Sequence, residues 1–129
     1  MKKNFSLFNT LSSTGAAAHY TRGVAVSSTN TYYSSKISGS LYLSLQLAWT
    51  GTPTGTFTVQ GSDKAEPNEA NDTDWYSITP TGAPTNPAGS ASSTSGRVNE
   101  FNCLWKRVKY VNSSGSGTLT GDATVGEQM

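Results

Sequence analysis

The segment Leu41 to Thr50 constrains the fold more than any other. Leu41, Leu43, Leu45, Leu47 and Trp49 alternate with Tyr42, Ser44, Gln46, Ala48 and Thr50. A period of two places one set of side chains on each face of a strand, so one face is buried and the other is largely polar. A second alternation follows at Thr56 to Gln60, with Phe57 and Val59 set against Thr56, Thr58 and Gln60. Between them lies Gly51-Thr-Pro-Thr-Gly55. Its proline presets a turn φ, and its glycines reach the positive φ that other residues resist. The pattern predicts an antiparallel hairpin with a five-residue connection. Leu43, Leu45, Leu47, Trp49, Phe57 and Val59 are expected to be buried on one face of that pair, with no helix anywhere in 41–60.

The rest of the chain fits the same architecture. Hydrophobic residues make up only 34% and charged residues 13%, while 19 serines, 18 threonines and 13 glycines fill the difference. Threonine suits a half-exposed pleated surface, and serine and glycine suit turns. Many short strands joined by polar turns are therefore expected. Residues 22–37 read as two short strands around Ser27 to Asn30, 74–79 (DWYSIT) as another, and Leu104 to Val111 as a strand with Leu104, Val108 and Tyr110 on one face. A Gly-Ser turn at 113–117 leads to a last strand, Thr118 to Val125. Residues 80–97, rich in Pro, Gly, Ser and Thr, read as a mobile loop. Seven or eight short strands with frequent turn signals predict an all-β, antiparallel β-sandwich or jelly roll over residues 21–129. Residues 1–20 read as an irregular arm, with a short helical turn at Ala16 to Ala18. At 129 residues the chain makes one domain, able to bury about two-thirds of its unfolded surface.

Several function classes are disfavoured. A net charge of +1 supplies no field for nucleic acid or an acidic membrane surface. One cysteine, Cys103, permits neither an internal disulfide nor a cysteine-cluster zinc site. Residues 1–15 hold two lysines but no continuous apolar run, so a secretory signal is not expected, and no stretch approaches the ~18 apolar residues of a membrane span. Asp63, Glu66, Glu69, Asp72 and Asp74 cluster in one loop. Calcium favours such clustered oxygens, but the spacing departs from an EF-hand and a solvated loop suffices. Arg97, Lys106, Arg107 and Lys109, with Trp105, form a basic counterpart. Strand parity turns Lys106 away from Arg107 and Lys109, so the cluster divides between two faces and salt bridging to the acidic loop is its expected use. His19 stands alone in an Ala-rich arm, and no G-x-S-x-G, H-E-x-x-H or phosphate-binding glycine loop is present. No catalytic residue, metal ligand or cofactor site is expected. Trp49 belongs to the core, whereas the neighbours of Trp75 and Trp105 leave their direction open.

The arm carries Phe5, Leu7, Phe8 and Leu11 beside few charges. Two readings stand side by side: the arm packs on its own domain, or these four residues contact a neighbouring subunit.

The run "LQLAWTGTPTGTFTVQGSD", followed by "DWYSI" and then by "WKRVKYVNSSGSGTLT", resembles a group of small structural proteins of tailed bacteriophages and prophages. There the same order recurs: a strand ending in Trp-Thr-Gly-Thr-Pro, one ending in Gly-Ser, an Asp-Trp strand, then a strand with Arg and Tyr before Ser-Gly-Gly-type turns. The resemblance covers roughly residues 38–120. It implies a virion component of the head-decoration or cement, head-fibre or tail-accessory type. Such a component would be assembled in the host cytoplasm, form a homo-oligomer and bind the major capsid protein or another virion protein, without nucleic acid or membrane. The alternative is a carbohydrate-binding module that stacks host-surface glycans on exposed tryptophans or tyrosines.

Overall fold

The computed structural model describes residues 3–14, 17–38, 42–99 and 101–126, and for 3–5, 9–14 and 17–22 it describes the backbone course. Among them the chain is all-β and contains no helix. Its strands are β1 (Lys3–Ser6), β2 (Asn9–Thr14), β3 (Ala17–Arg22), β4 (Val24–Val26), β5 (Thr31–Tyr33), β6 (Ile37–Ser38), β7 (Tyr42–Trp49), β8 (Thr54–Ser62), β9 (Tyr76–Ile78), β10 (Ser92–Val98), β11 (Trp105–Ser114) and β12 (Gly117–Gly126). Two antiparallel sheets pack face to face as a β-sandwich. One runs β1-β12-β7-β10 with β4 also on β12; the other runs β5-β11-β8-β9 with β6 also on β11. Among the described residues, strands β2 and β3 pair only with each other.

The alternation of Leu41 to Trp49 settles the core as expected. Leu43, Leu45, Leu47 and Trp49 point inward from β7, and Phe57 and Val59 point inward from β8, all buried. Leu41 lies outside the described residues. The hairpin, however, does not form. Strand β7 pairs with β12 and β10, while β8 pairs with β11 and β9, so the two strands belong to opposite sheets. The segment 50–53 is an arch that carries the chain across the core. An alternating strand needs its apolar face covered, and an arch meets that need by placing the two faces opposite each other rather than side by side.

Two further crossings stack on this arch. The chain passes between sheets at 27–30 and again at Gly115 and Ser116. Thr50 and Thr52 donate their amides to the carbonyls of Thr118 and Ser116, each at 2.9 Å. Asn112, fully buried, donates its side-chain amide to the carbonyls of Ser28 (2.7 Å) and Gly115 (2.9 Å) and accepts from the Tyr110 hydroxyl at 2.8 Å. One residue thereby ties the first crossing to the last. Gly51 sits at φ 78°, and a Cβ there would run into the Ser116 carbonyl. Glycine is needed at this point both for its left-handed backbone and for the close approach.

Residues 80–97 also differ from the expected mobile loop. Ser92 to Val98 form β10 and pair with β7 along its whole length, from Ser92 opposite Trp49 to Val98 opposite Leu43. Only Gly96 and Val98 of this strand are buried, so no hydrophobic alternation announces it. The preceding loop covers its outer edge: Gly82 and Arg97 exchange backbone hydrogen bonds of 3.0 and 2.8 Å. Proline and polar residues beside an edge strand protect it from pairing with other chains.

The expected arm holds three strands rather than irregular structure, and Ala17 and Ala18 lie in β3 rather than in a helical turn. Strand β1 pairs with β12, with Phe5 opposite Ala123. Leu7 and Phe8, 1% and 2% exposed, then enter the core. Strands β1 and β4 lie one after the other on the same edge of β12. Between them the chain leaves the sandwich as the β2–β3 hairpin, closed at its base by the Gly23 amide donating to the Phe8 carbonyl at 2.7 Å.

Candidate functional site

The outer face of the β5-β11-β8-β9 sheet is covered by the acidic loop that follows β8, and Arg107 explains why. Residues 105, 107 and 109 of β11 point away from the core, and Arg107 is nevertheless 0% exposed. Its guanidinium lies between two rings, 3.9 Å from the centroid of Tyr33 and 4.0 Å from that of Trp75. It donates to Gln60 Oε1 (2.8 Å), to the Glu69 carbonyl (3.1 Å) and to the Asn71 carbonyl (2.7 Å). The planar fork of arginine makes this set of contacts possible, and lysine has no equivalent. Asp72 stands 3.5 Å from the same guanidinium and 2.6 Å from Lys109 Nζ, and it accepts from Gln60 Nε2 at 2.9 Å and from the Tyr33 hydroxyl at 3.2 Å. The Lys109 hydrogen bond, with Gln60 and Tyr33 behind it, holds the Asp72 carboxyl below the usual range. Burial, then the Asp72 charge, raises the Tyr33 phenol.

Two other loop carboxylates have partners too. Glu69 pairs with Lys36 at 3.3 Å, and Asp74 pairs with Lys64 at 3.2 Å and accepts the Asn68 amide at 2.7 Å. Among the described residues no three His, Cys, Asp or Glu side chains gather to hold a metal. The acidic loop is a clasp over Arg107 and Lys109. The division of the basic cluster follows strand parity: Arg107 and Lys109 face outward to the loop, Lys106 faces the core at 1% exposure, and Arg97 lies on the other sheet.

At the end of the sandwich opposite the arches lies a surface cavity of about 350 Å³, lined by Ser38, Asp63, Asn102, Cys103, Leu104 and Trp105. Leu104 precedes β11 and is 47% exposed at the rim, rather than lying on the apolar face with Val108 and Tyr110. Trp105 is fixed by its indole N–H, which donates to the Ala65 carbonyl at 3.2 Å, and by Lys36 Nζ, 4.6 Å from its ring centroid. Asp63 is oriented by the Tyr76 hydroxyl (3.1 Å) and the Leu104 amide (3.3 Å). Burial, with help from Cys103 and Asp63, pushes the Tyr76 phenol up to about 12. Burial likewise raises the Cys103 thiol, which stays protonated at neutral pH. Trp49 is core and Trp75 is closed beneath Arg107, so of the three tryptophans only Trp105 lines this cavity.

Of the four arm residues, Leu7 and Phe8 meet in the chain's own core. Phe5 lies in β1, and Leu11 lies in β2 opposite Tyr20. Sequence reasoning missed Asp63 and Asn102 as a pair, because thirty-nine positions separate them and only the pairing of β8 with β11 unites them.

No protein-family model matches the chain, and no curated protein matches it in sequence.

Proposed function

We propose that this protein is a non-enzymatic structural component of a phage virion, a decoration or cement protein bound to the outside of the head shell as a homo-oligomer. One coincidence supports the reading. The motifs on which the chain resembles small phage structural proteins are the ones that build this framework. Trp49-Thr-Gly-Thr-Pro53 forms the central arch, Asp74-Trp75 closes the clasp, and Lys106-Arg107-Val108, which follows the pattern loosely, supplies its guanidinium. A frame of stacked arches and a clasped outer face resists opening, as a coat component exposed to water in many copies must.

The attachment element this implies is the β2–β3 hairpin. A two-stranded hairpin is at best marginally stable by itself in water, and this one pairs with neither sheet. Docking on the major capsid protein or on a second copy would cover it, and linked copies would gain avidity from weak single contacts. The test is excision of residues 9–22, joining Phe8 to Gly23 through a two-residue turn, which their existing hydrogen bond permits. The shortened chain should melt as the full chain does but lose attachment to purified empty capsids and sediment as a smaller species. Equal attachment and equal sedimentation of both forms would refute the assignment of the hairpin. Failure of the full chain to bind any shell would refute the decoration role.

A further inference from the structure

We infer that the cavity beside Trp105 binds a neutral saccharide, with the indole as platform and Asp63, Asn102 and Ser38 as the hydroxyl-binding groups. At about 350 Å³ it lies at the lower end of small-molecule sites and holds about one pyranose ring. A pyranose presents an apolar C–H face and a rim of hydroxyls that both donate and accept. The cavity offers the complement: an aromatic ring and Leu104 for the face, a carboxylate that only accepts, and an amide and a hydroxyl that do both. Its two main groups are held before any ligand arrives. The hydrogen bond to Ala65 fixes the Trp105 ring, and the bonds from Tyr76 and Leu104 fix Asp63 while using only part of its accepting capacity. Such preorganisation lowers the entropy lost on binding.

Asp63 in the cavity and Lys36 over Trp105 carry opposite charges, and Lys36 is already paired with Glu69 at 3.3 Å. No single sign of charge therefore dominates the site, and an uncharged ligand suits it. The thiol of Cys103, buried and protonated, offers no nucleophile. One ring in a shallow cavity implies affinity in the millimolar range, which a multivalent array of copies raises steeply on a polysaccharide. Sugar binding of this kind belongs to the isolated chain and is independent of capsid attachment.

The test is titration of the full chain with the methyl pyranosides of glucose, galactose and mannose and with N-acetylglucosamine, followed by tryptophan fluorescence and amide chemical shifts. At least one should saturate with a millimolar Kd. Asn102→Ala, at an exposed position outside the core, should weaken it about tenfold, as should Trp105→Ala, while Trp105→Tyr should stay within about threefold. Should Trp105→Ala fail to fold, Asn102→Ala and Trp105→Tyr still decide. Saturation by none of the four sugars, an unchanged Kd in Asn102→Ala, or tighter binding of choline or glucuronate than of every neutral sugar would overturn the inference.

Discussion

Trp49 and Phe57 meet across the core with ring centroids 5.9 Å apart and planes tilted by 52°, although they stand on opposite sheets joined by a single arch. Phe57 also meets Tyr110 at 5.0 Å, so the three rings link β7, β8 and β11. The Trp49 indole N–H is satisfied by the Ser90 carbonyl at 2.7 Å. Truncating Phe57 to alanine should cost ~3–5 kcal/mol, the range for a large buried aromatic. The pair itself should show a coupling of ~0.5–1.5 kcal/mol in a Trp49→Leu, Phe57→Leu double-mutant cycle read by urea denaturation. Additive losses would mean that the rings share the core without interacting.

Arg107 should be the most sensitive polar position. Arg107→Ala leaves the Glu69 and Asn71 carbonyls and Gln60 without their donor and empties the space between Tyr33 and Trp75. Each acceptor left without its donor costs ~1–3 kcal/mol, so the variant should lose several kcal/mol. Arg107→Lys should recover only part of this, because an ammonium cannot reach three divergent acceptors while stacking on two rings. In both variants the loop 63–74 should become the first site of limited proteolysis, since its main anchor is gone. An Arg107→Lys variant with wild-type stability and protection would show that charge alone holds the clasp.

The clasp also predicts an acid limb. The folded-state pKa of Asp72 lies below its unfolded value of about 3.9. Its contribution is therefore complete above that unfolded value and is lost as pH falls through the folded one. Asp74, lowered chiefly by the Asn68 amide, adds to the same window. Melting temperature should hold on the neutral side and fall below about pH 4. Asp72→Asn should lower stability at neutral pH yet flatten the decline in acid. Parallel acid limbs for the variant and the wild-type chain would exclude Asp72 as the responsible group. Because Asp72 is partly exposed, the effect should shrink in high salt.

The two-sheet class, the burial of β7 and β8, and the outward turn of Arg107 and Lys109 were all legible, because each rests on period-two alternation. Three features were not. Whether β7 and β8 pair or oppose depends on the partners β11 and β12, roughly forty to eighty residues away, and local turn chemistry allows either. Strand β10 is built of Ser, Thr and Gly, so it carries no apolar signal and forms because β7 has a free edge. Leu7 and Phe8 read equally as core or contact until β1 is placed on β12. For the cavity, Trp105 was visible as a candidate, whereas its companions Asp63 and Asn102 became a site only through the β8–β11 register.

Lys106 tests how the interior treats a charge. It faces the core on β11 between the positions of Gly61 on β8 and Ile37 on β6, and burial pulls its pKa down, an effect that the Cys103 thiol partly offsets. The unfolded chain holds this proton up to a pKa of about 10.4, whereas the folded chain releases it earlier. Between the two values the unfolded state binds more protons, so stability should rise with pH across that alkaline window. Replacing the side chain with methionine keeps the aliphatic stem and removes the ammonium. Lys106→Met should therefore fold normally, lose the alkaline rise, and be as stable as the parent at neutral pH or more so. A loss of several kcal/mol at pH 7, measured by urea denaturation, would instead mean that the buried ammonium is held by interactions stronger than its desolvation cost.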